Sequence, residues 1–209
     1  MNRTDNYEEL YEKWRGTYLA MDREELKERF HLRSDGGAHY ITYFQREYRL
    51  DQQDGSLTLS DDPNRQAPFD TAMSIYTLFH YAKPDASVCG RFVPFREVKR
   101  AAPFAPAFQR MIVAPFCQKF SGHTDLLRQA CEKLGGQPVK QGDVGYIIPA
   151  FDWMPVMMTF WDADDEFDAQ ATLLFDADIT DFTHEESVVL IGAELVRRLG
   201  EEAGLADAL

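Results

Sequence analysis

Between Phe160 and Glu186 the chain reads FWDADDEFDAQATLLFDADITDFTHEE, ten carboxylates with no Lys or Arg among them. The acid falls in two pieces, Asp162–Asp168 and Asp176–Glu186, on either side of the apolar run Thr172–Phe175. Charged side chains stay in water unless they are paired. The simplest fold for this stretch is therefore a pair of solvated acidic loops flanking a hairpin, with Trp161, Phe167 and Phe175 supplying core. Two further apolar runs of strand length, Tyr146–Pro149 and Val156–Trp161, precede it, and the second reads as buried on both faces.

The acidic stretch leads into the clearest helix in the chain. Thr183 and Glu186 have the spacing of a capping box, Val188, Ile191, Leu195 and Leu199 form one apolar stripe, and Gly200 stands as the stop. Upstream, Thr4 is placed to cap a helix carrying Tyr7, Leu10, Tyr11, Trp14 and Tyr18, and Asp22 with Glu25 opens another. His39–Leu50 and Ser56–Leu59 read as a hairpin turned at Asp54-Gly55. Residues 69–82, Phe104–Phe120 and Thr124–Leu134 read as helices, with a kink or split at Pro115. Helices and strands interleave without a βαβ rhythm, so the expected fold class is α+β: a single domain over residues 1–209, with a short, mostly antiparallel sheet and several packed helices.

A net charge of −13 argues against nucleic acid and anionic membrane as partners. The charge is uneven: residues 1–82 carry −5, residues 83–140 carry +6 and residues 141–209 carry −14. The basic middle is thus placed to attract the acidic end or to receive an anion. Three cysteines, Cys89, Cys117 and Cys131, with no Cys-x-x-Cys, fit free thiols in a reducing interior. The N-terminal MNRTDNYEELYEKW has no apolar signal core, and Met154–Trp161 is too short to span a bilayer. The expected location is the cytoplasm.

Three pieces carry a resemblance: IYTLFHYAKPDASVCGRFVPFREV (75–98), residues 104–136 with Phe104, Phe108 and Phe120, and GDVGYIIPAFDWMPVMMTFWDADDEFDAQATLLFDADITDFTHEESVVLIGAELVRR (142–198). In this order they resemble the uncharacterised prokaryotic domain-of-unknown-function family number 3786. Some relatives are joined to an iron–sulfur domain of the type found in corrinoid proteins of anaerobic one-carbon metabolism. The resemblance implies an accessory role in such a setting. This chain lacks the cysteines of that domain, so any cluster or corrinoid would come from a partner.

For chemistry, Asp162, Asp164, Asp165, Glu166 and Asp168 are the hard oxygen ligands that Ca²⁺ or Mg²⁺ prefers. An EF-hand reading fails, because Phe167 stands where the loop needs Gly and Leu173 where it needs Glu. A looser divalent-metal site would use Asp162, Asp164, Asp165 and Asp178. Arg96, in the Phe95-Arg96 turn, is a possible mate for Asp176. Together with Trp161, Glu166 and Phe167 these two make the candidate ligand site. His80 reads as a hydrogen-bonded core residue. No P-loop, Gly-x-Gly-x-x-Gly or Gly-x-Ser-x-Gly occurs. Three functions stand as expectations: a noncatalytic binding or accessory module for a protein or small-molecule ligand, a divalent-metal-dependent enzyme using the 162–181 loops, and a small-molecule binder walled by Trp153, Trp161 and Phe95 with Arg96 as anion anchor.

Overall fold

A computed structural model describes residues 3–205, with side chains from residue 6 onward. Thr4, the expected first cap, has its side chain outside the described residues. The chain opens with helices α1 (Arg3–Leu19) and α2 (Arg23–Arg29), then strands β1 (Arg33–Ser34), β2 (Ala38–Tyr43), β3 (Arg46–Asp51) and β4 (Leu57–Leu59). Next come helix α3 (Phe69–Tyr81), strand β5 (Phe92–Pro94), helix α4 (Ala105–Phe108), a π-helical turn (Gln109–Val113), and helices α5 (Ala114–Phe120) and α6 (Thr124–Lys133). Strands β6 (Gln137–Pro138), β7 (Val144–Phe151), β8 (Met154–Trp161) and β9 (Gln170–Asp176) lead into the final helix, α7 (Glu185–Glu202). The class is α+β, with two antiparallel sheets ordered β1-β2-β3-β4 and β5-β9-β8-β7-β6.

The first sheet departs from expectation at one point. His39–Leu50 is two strands, joined by a two-residue turn at Phe44-Gln45 with φ of 46° and 58°. Such turns favour Asn-Gly, because both central residues take left-handed backbone. Here tertiary contacts impose the turn instead. Phe44 is fully buried, its N–H donates to Ala150 O at 2.8 Å, and Tyr43 stacks on Phe151 at 4.6 Å. That bond and that stack join the two sheets. The Asp54-Gly55 turn is where the sequence placed it, with Gly55 at φ 76° and its carbonyl accepting from Tyr76 Oη at 2.7 Å.

In the second sheet, alternate residues face opposite ways. Val144, Tyr146, Ile148, Val156, Met158, Phe160, Leu173 and Phe175 are all buried, and α5, α6 and α7 lie on their side. Phe116 of α5 meets Phe160 at 5.8 Å, and Tyr146 Oη donates to Glu132 of α6 at 3.2 Å. Pro115 lacks the N–H that would close an ordinary turn, and the helix answers with the π-helical turn just before it. Helix α7 has the expected stripe, since Val188, Ile191, Leu195 and Leu199 are all buried. Its cap is corrected: His184, not Thr183, is the N-cap, and its Nδ1 accepts from Glu186 N at 3.3 Å. Gly200 lies inside the helix, which ends near Gly204 at φ 70°. The uneven charge of the chain is used inside the fold: Lys83 pairs with Asp181 at 2.6 Å and Arg100 with Glu185 at 3.5 Å.

The Phe44-Gln45 turn gives a test. Gln45→Asn keeps an exposed polar side chain and suits left-handed backbone better, so it should raise stability by about 0.5 kcal/mol. Phe44→Ala should cost about 3–5 kcal/mol, because it empties a buried site at the joint between the sheets. Urea denaturation of the two variants checks both signs.

Candidate functional site

Strand β9 is paired unequally on its two sides. Along β8 it is matched from Gln170 to Phe175, whereas β5 reaches only Leu174, Phe175 and Asp176. Ala177 N–H donates to Arg91 O at 2.9 Å, so by the two-residue period the backbone groups of Phe175, Leu173 and Ala171 point towards the β5 side. Pro94 stands opposite Leu174, whose groups point towards β8, so no ladder bond is lost to the missing proline N–H. After Pro94 the chain leaves the sheet in a 3-10 turn, Phe95–Glu97.

The Phe95 ring takes the chain off the edge. It stacks on Phe108 at 4.2 Å with planes 14° apart, and both rings meet Phe175 edge-on at 6.1 Å. Helix α7 closes in on this group through Gly192, where an added Cβ would lie 2.7 Å from the Phe108 ring. A side chain at this point of α7 would push Phe108 away.

The departure of β5 leaves a groove along β9 from Gln170 to Leu173, walled by α4, the π-helical turn and α5. One end is a cavity of about 520 Å³ that includes Gln109, Cys117, Gln118, Asp168 and Gln170. The other end, about 310 Å³, includes Phe95, Arg96, Phe108, Thr172 and Leu173. The two share Gln109 and Ala171 and so run together. Burial raises the pKa of the Cys117 thiol, and the nearby Ala171 N–H partly opposes this. A sulfur, a weak acceptor, thus faces the backbone edge at Ala171.

The residues singled out in the sequence bracket this groove without converging in it. Arg96 lies at one end, three-quarters exposed, with its nearest carboxylate on Glu97 at 3.8 Å. It does not pair with Asp176. That carboxylate is fully buried and is held by the loop before β5, accepting from Gly90 N at 2.7 Å, Cys89 N at 3.1 Å and Asp178 N at 3.0 Å. Three backbone donors meet the need that a buried carboxylate has for a partner, which is why no arginine is drawn in.

Trp161 and Phe167, expected as core, are 40% and 63% exposed. Trp161 comes after Phe160 on β8, and the alternation that buries Phe160 turns Trp161 to the face opposite the helices. Phe167 closes a turn in which Asp164 Oδ1 accepts from the N–H groups of Glu166 and Phe167, both at 2.8 Å, and these bonds hold the Asp164 carboxyl below its usual range. Asp162 likewise accepts from Gly122 N at 2.9 Å and Ala163 N at 2.8 Å. Asp165 and Glu166 are exposed. The proposed metal set of Asp162, Asp164, Asp165 and Asp178 is therefore spread over two loops, with Asp178 beside Cys89 and Asp176 instead. Ligand atoms of those three residues lie within 4.8 Å of one another, but Asp176 already serves three backbone donors.

Two further expectations change. His80 is exposed and packs edge-on to Trp14 at 5.3 Å. Trp153 lies away from Phe95, stacked on Phe182 at 4.8 Å and Phe151 at 5.6 Å. The amides Gln109, Gln118 and Gln170 were missed, since lone glutamines give no sequence signal. Pro94 was the available clue, because a proline within a strand marks an edge.

The structural role of Asp176 can be tested directly. Asp176→Ala leaves three N–H groups without their acceptor and should cost about 3 kcal/mol or more. Asp176→Asn keeps one acceptor oxygen and should cost distinctly less. Equal losses in chemical denaturation would contradict this reading of the loop.

A family model described as Domain of unknown function (DUF3786) matches residues 22–198. The match extends beyond the 75–198 segment that carried the resemblance and takes in the whole first sheet. No curated protein and no solved structure matches the chain.

Proposed function

The chain belongs to the DUF3786 family, and from that premise we propose that it is a noncatalytic binding module that receives a partner in the groove along β9. The observation that carries this reading is the unequal pairing of β9, which leaves the Leu173 N–H and the Ala171 C=O without a strand partner beside a continuous cavity. Unpaired sheet edges are usually covered or blunted. Here the edge is flanked by three amide side chains that can both donate and accept.

The state of the carboxylates supports binding over catalysis. Asp162, Asp164 and Asp176 each accept two or more backbone N–H bonds, from their own or a neighbouring loop, which fixes the loops and uses the oxygens that chemistry would need. The setting suggested by the family resemblance, an accessory role beside a corrinoid or iron–sulfur protein of anaerobic metabolism, makes such a protein the first partner to test.

A photo-crosslinking amino acid in place of Gln118, on the groove wall, should give a discrete adduct in cells that naturally make this protein. The same substitution at Glu28, exposed on α2, should not. Indistinguishable adduct patterns at the two positions would remove the groove from the account.

A further inference from the structure

We propose a separate ligand site, for a small planar aromatic carboxylate, in the cavity between the end of α2, the tip of the β7–β8 hairpin and the loop that follows α3. The cavity has a volume of about 320 Å³, in the range of pockets that hold small molecules. It shares no residue with the groove along β9, so it stands or falls independently of that reading. One wall is aromatic. Trp153, at the hairpin tip, is only partly buried; its ring lies 4.8 Å from Phe182 and 6.0 Å from Phe30, and all three line the cavity. Rings favour offset or edge-on contacts with other rings, so this wall suits a planar ligand. Pro84 and Val88 of the loop after α3 add further apolar surface. That loop is pinned at both ends. Lys83 N donates to Asp181 O at 2.8 Å, and Cys89 N and Gly90 N donate to the Asp176 carboxylate. The rim is thus formed before any ligand arrives, which lowers the cost of binding.

Charge specifies the ligand further. The ionisable side chains lining the cavity are Arg29, His31 and Lys83, with no carboxylate among them, in a chain with 35 acidic residues against 22 Lys and Arg. Lys83 is paired with Asp181 at 2.6 Å. Arg29 has no carboxylate partner among the described residues; its guanidinium donates to Ala82 O and lies 5.3 Å from the Phe30 ring. Closing the end of α3 at Ala82 needs one donor and no positive charge. A guanidinium has five donors in a rigid fork that matches a carboxylate, and the two contacts hold that fork at the cavity. The backbone of His31 is an independent pointer. Leu32 N donates to Lys27 O at 2.9 Å, which closes α2 with His31 in left-handed backbone at φ 50°. That position favours glycine. Keeping a side chain there costs stability, and strain of this kind gathers at ligand sites; this side chain lies on the wall of the cavity.

The probe is naphthoate, compared with its neutral isostere naphthamide and with its saturated counterpart, decalin carboxylate. Backbone and indole NMR shifts of the full chain are read as each is added, and give the dissociation constants. Naphthoate should shift the Trp153 indole N–H and bind ~10-fold more tightly than naphthamide, as a charge-assisted bond to a guanidinium requires. It should also bind ~3-fold or more tightly than decalin carboxylate, the margin that ring–ring contact supplies. Arg29→Gln, which keeps a donor for Ala82 O, should bind naphthoate and naphthamide equally. Val88→Asp, at an exposed position, should weaken naphthoate ~3–10-fold and leave naphthamide unchanged, a split that a folding defect would not produce. His31→Gly should raise the Tm and yet weaken naphthoate. Equal binding of naphthoate and naphthamide by the native chain, or a carboxylate preference that survives Arg29→Gln, would overturn the proposal. So would shifts that centre away from Trp153, decalin carboxylate binding as tightly as naphthoate, or no binding of any of the three at millimolar concentration. None of these results bears on the crosslinking test at Gln118, which decides the groove alone.

Discussion

The stack of Phe95 on Phe108 decides where the second sheet ends. Its planes lie 14° apart at 4.2 Å, and Phe175 closes it from below. Aromatic pairs of this kind contribute about 0.5–1.5 kcal/mol beyond the area they bury, and the Phe95 ring has no comparable site on the sheet edge. The chain therefore abandons β9 after Pro94 and turns inward. Gly192 on α7 is the accommodation the last helix makes, because only a residue without Cβ lets it approach the Phe108 ring. The groove is thus a consequence of core packing and not of a missing strand.

The acidic segment is explained by the same economy. Its carboxylates resemble a metal site in composition and act as backbone acceptors in geometry. Asp164 and Asp162 tie down the loop between β8 and β9, while Asp176 holds the loop that delivers β5. The first of these loops lines one end of the groove, and the second delivers the strand whose departure opens the other. A loop bound through its own side chains positions a neighbouring site without itself being one.

Much of the fold was legible because long periodic stretches leave few choices. The stripe on α7 and the helix at α3 bury the residues that their period selected, and the three apolar runs form strands of the second sheet, although Trp161, at the end of the run read as buried on both faces, is exposed. The reading of Trp161 failed locally, because strand alternation turns it away from Phe160, while the larger failures were non-local. Phe44-Gln45 has no turn chemistry and turns because Ala150 O and Phe151 wait for it. His184 caps α7 because Thr183 is buried near Thr77, their hydroxyl oxygens 3.5 Å apart, whereas helix-start spacing alone favoured Thr183. Arg96 and Asp176 were joined by charge alone, and backbone donors took the carboxylate first. The candidate site was half visible: its charged ends stood out in the sequence, while its edge depends on where β5 stops.

Amide hydrogen exchange along β9 in the free protein tests the central claim most directly. Thr172 and Leu174, whose N–H groups point towards β8, should exchange slowly, and Leu173 between them should exchange fast. Protection of Leu173 equal to that of its two neighbours would mean the edge is already satisfied, and the groove account would be wrong.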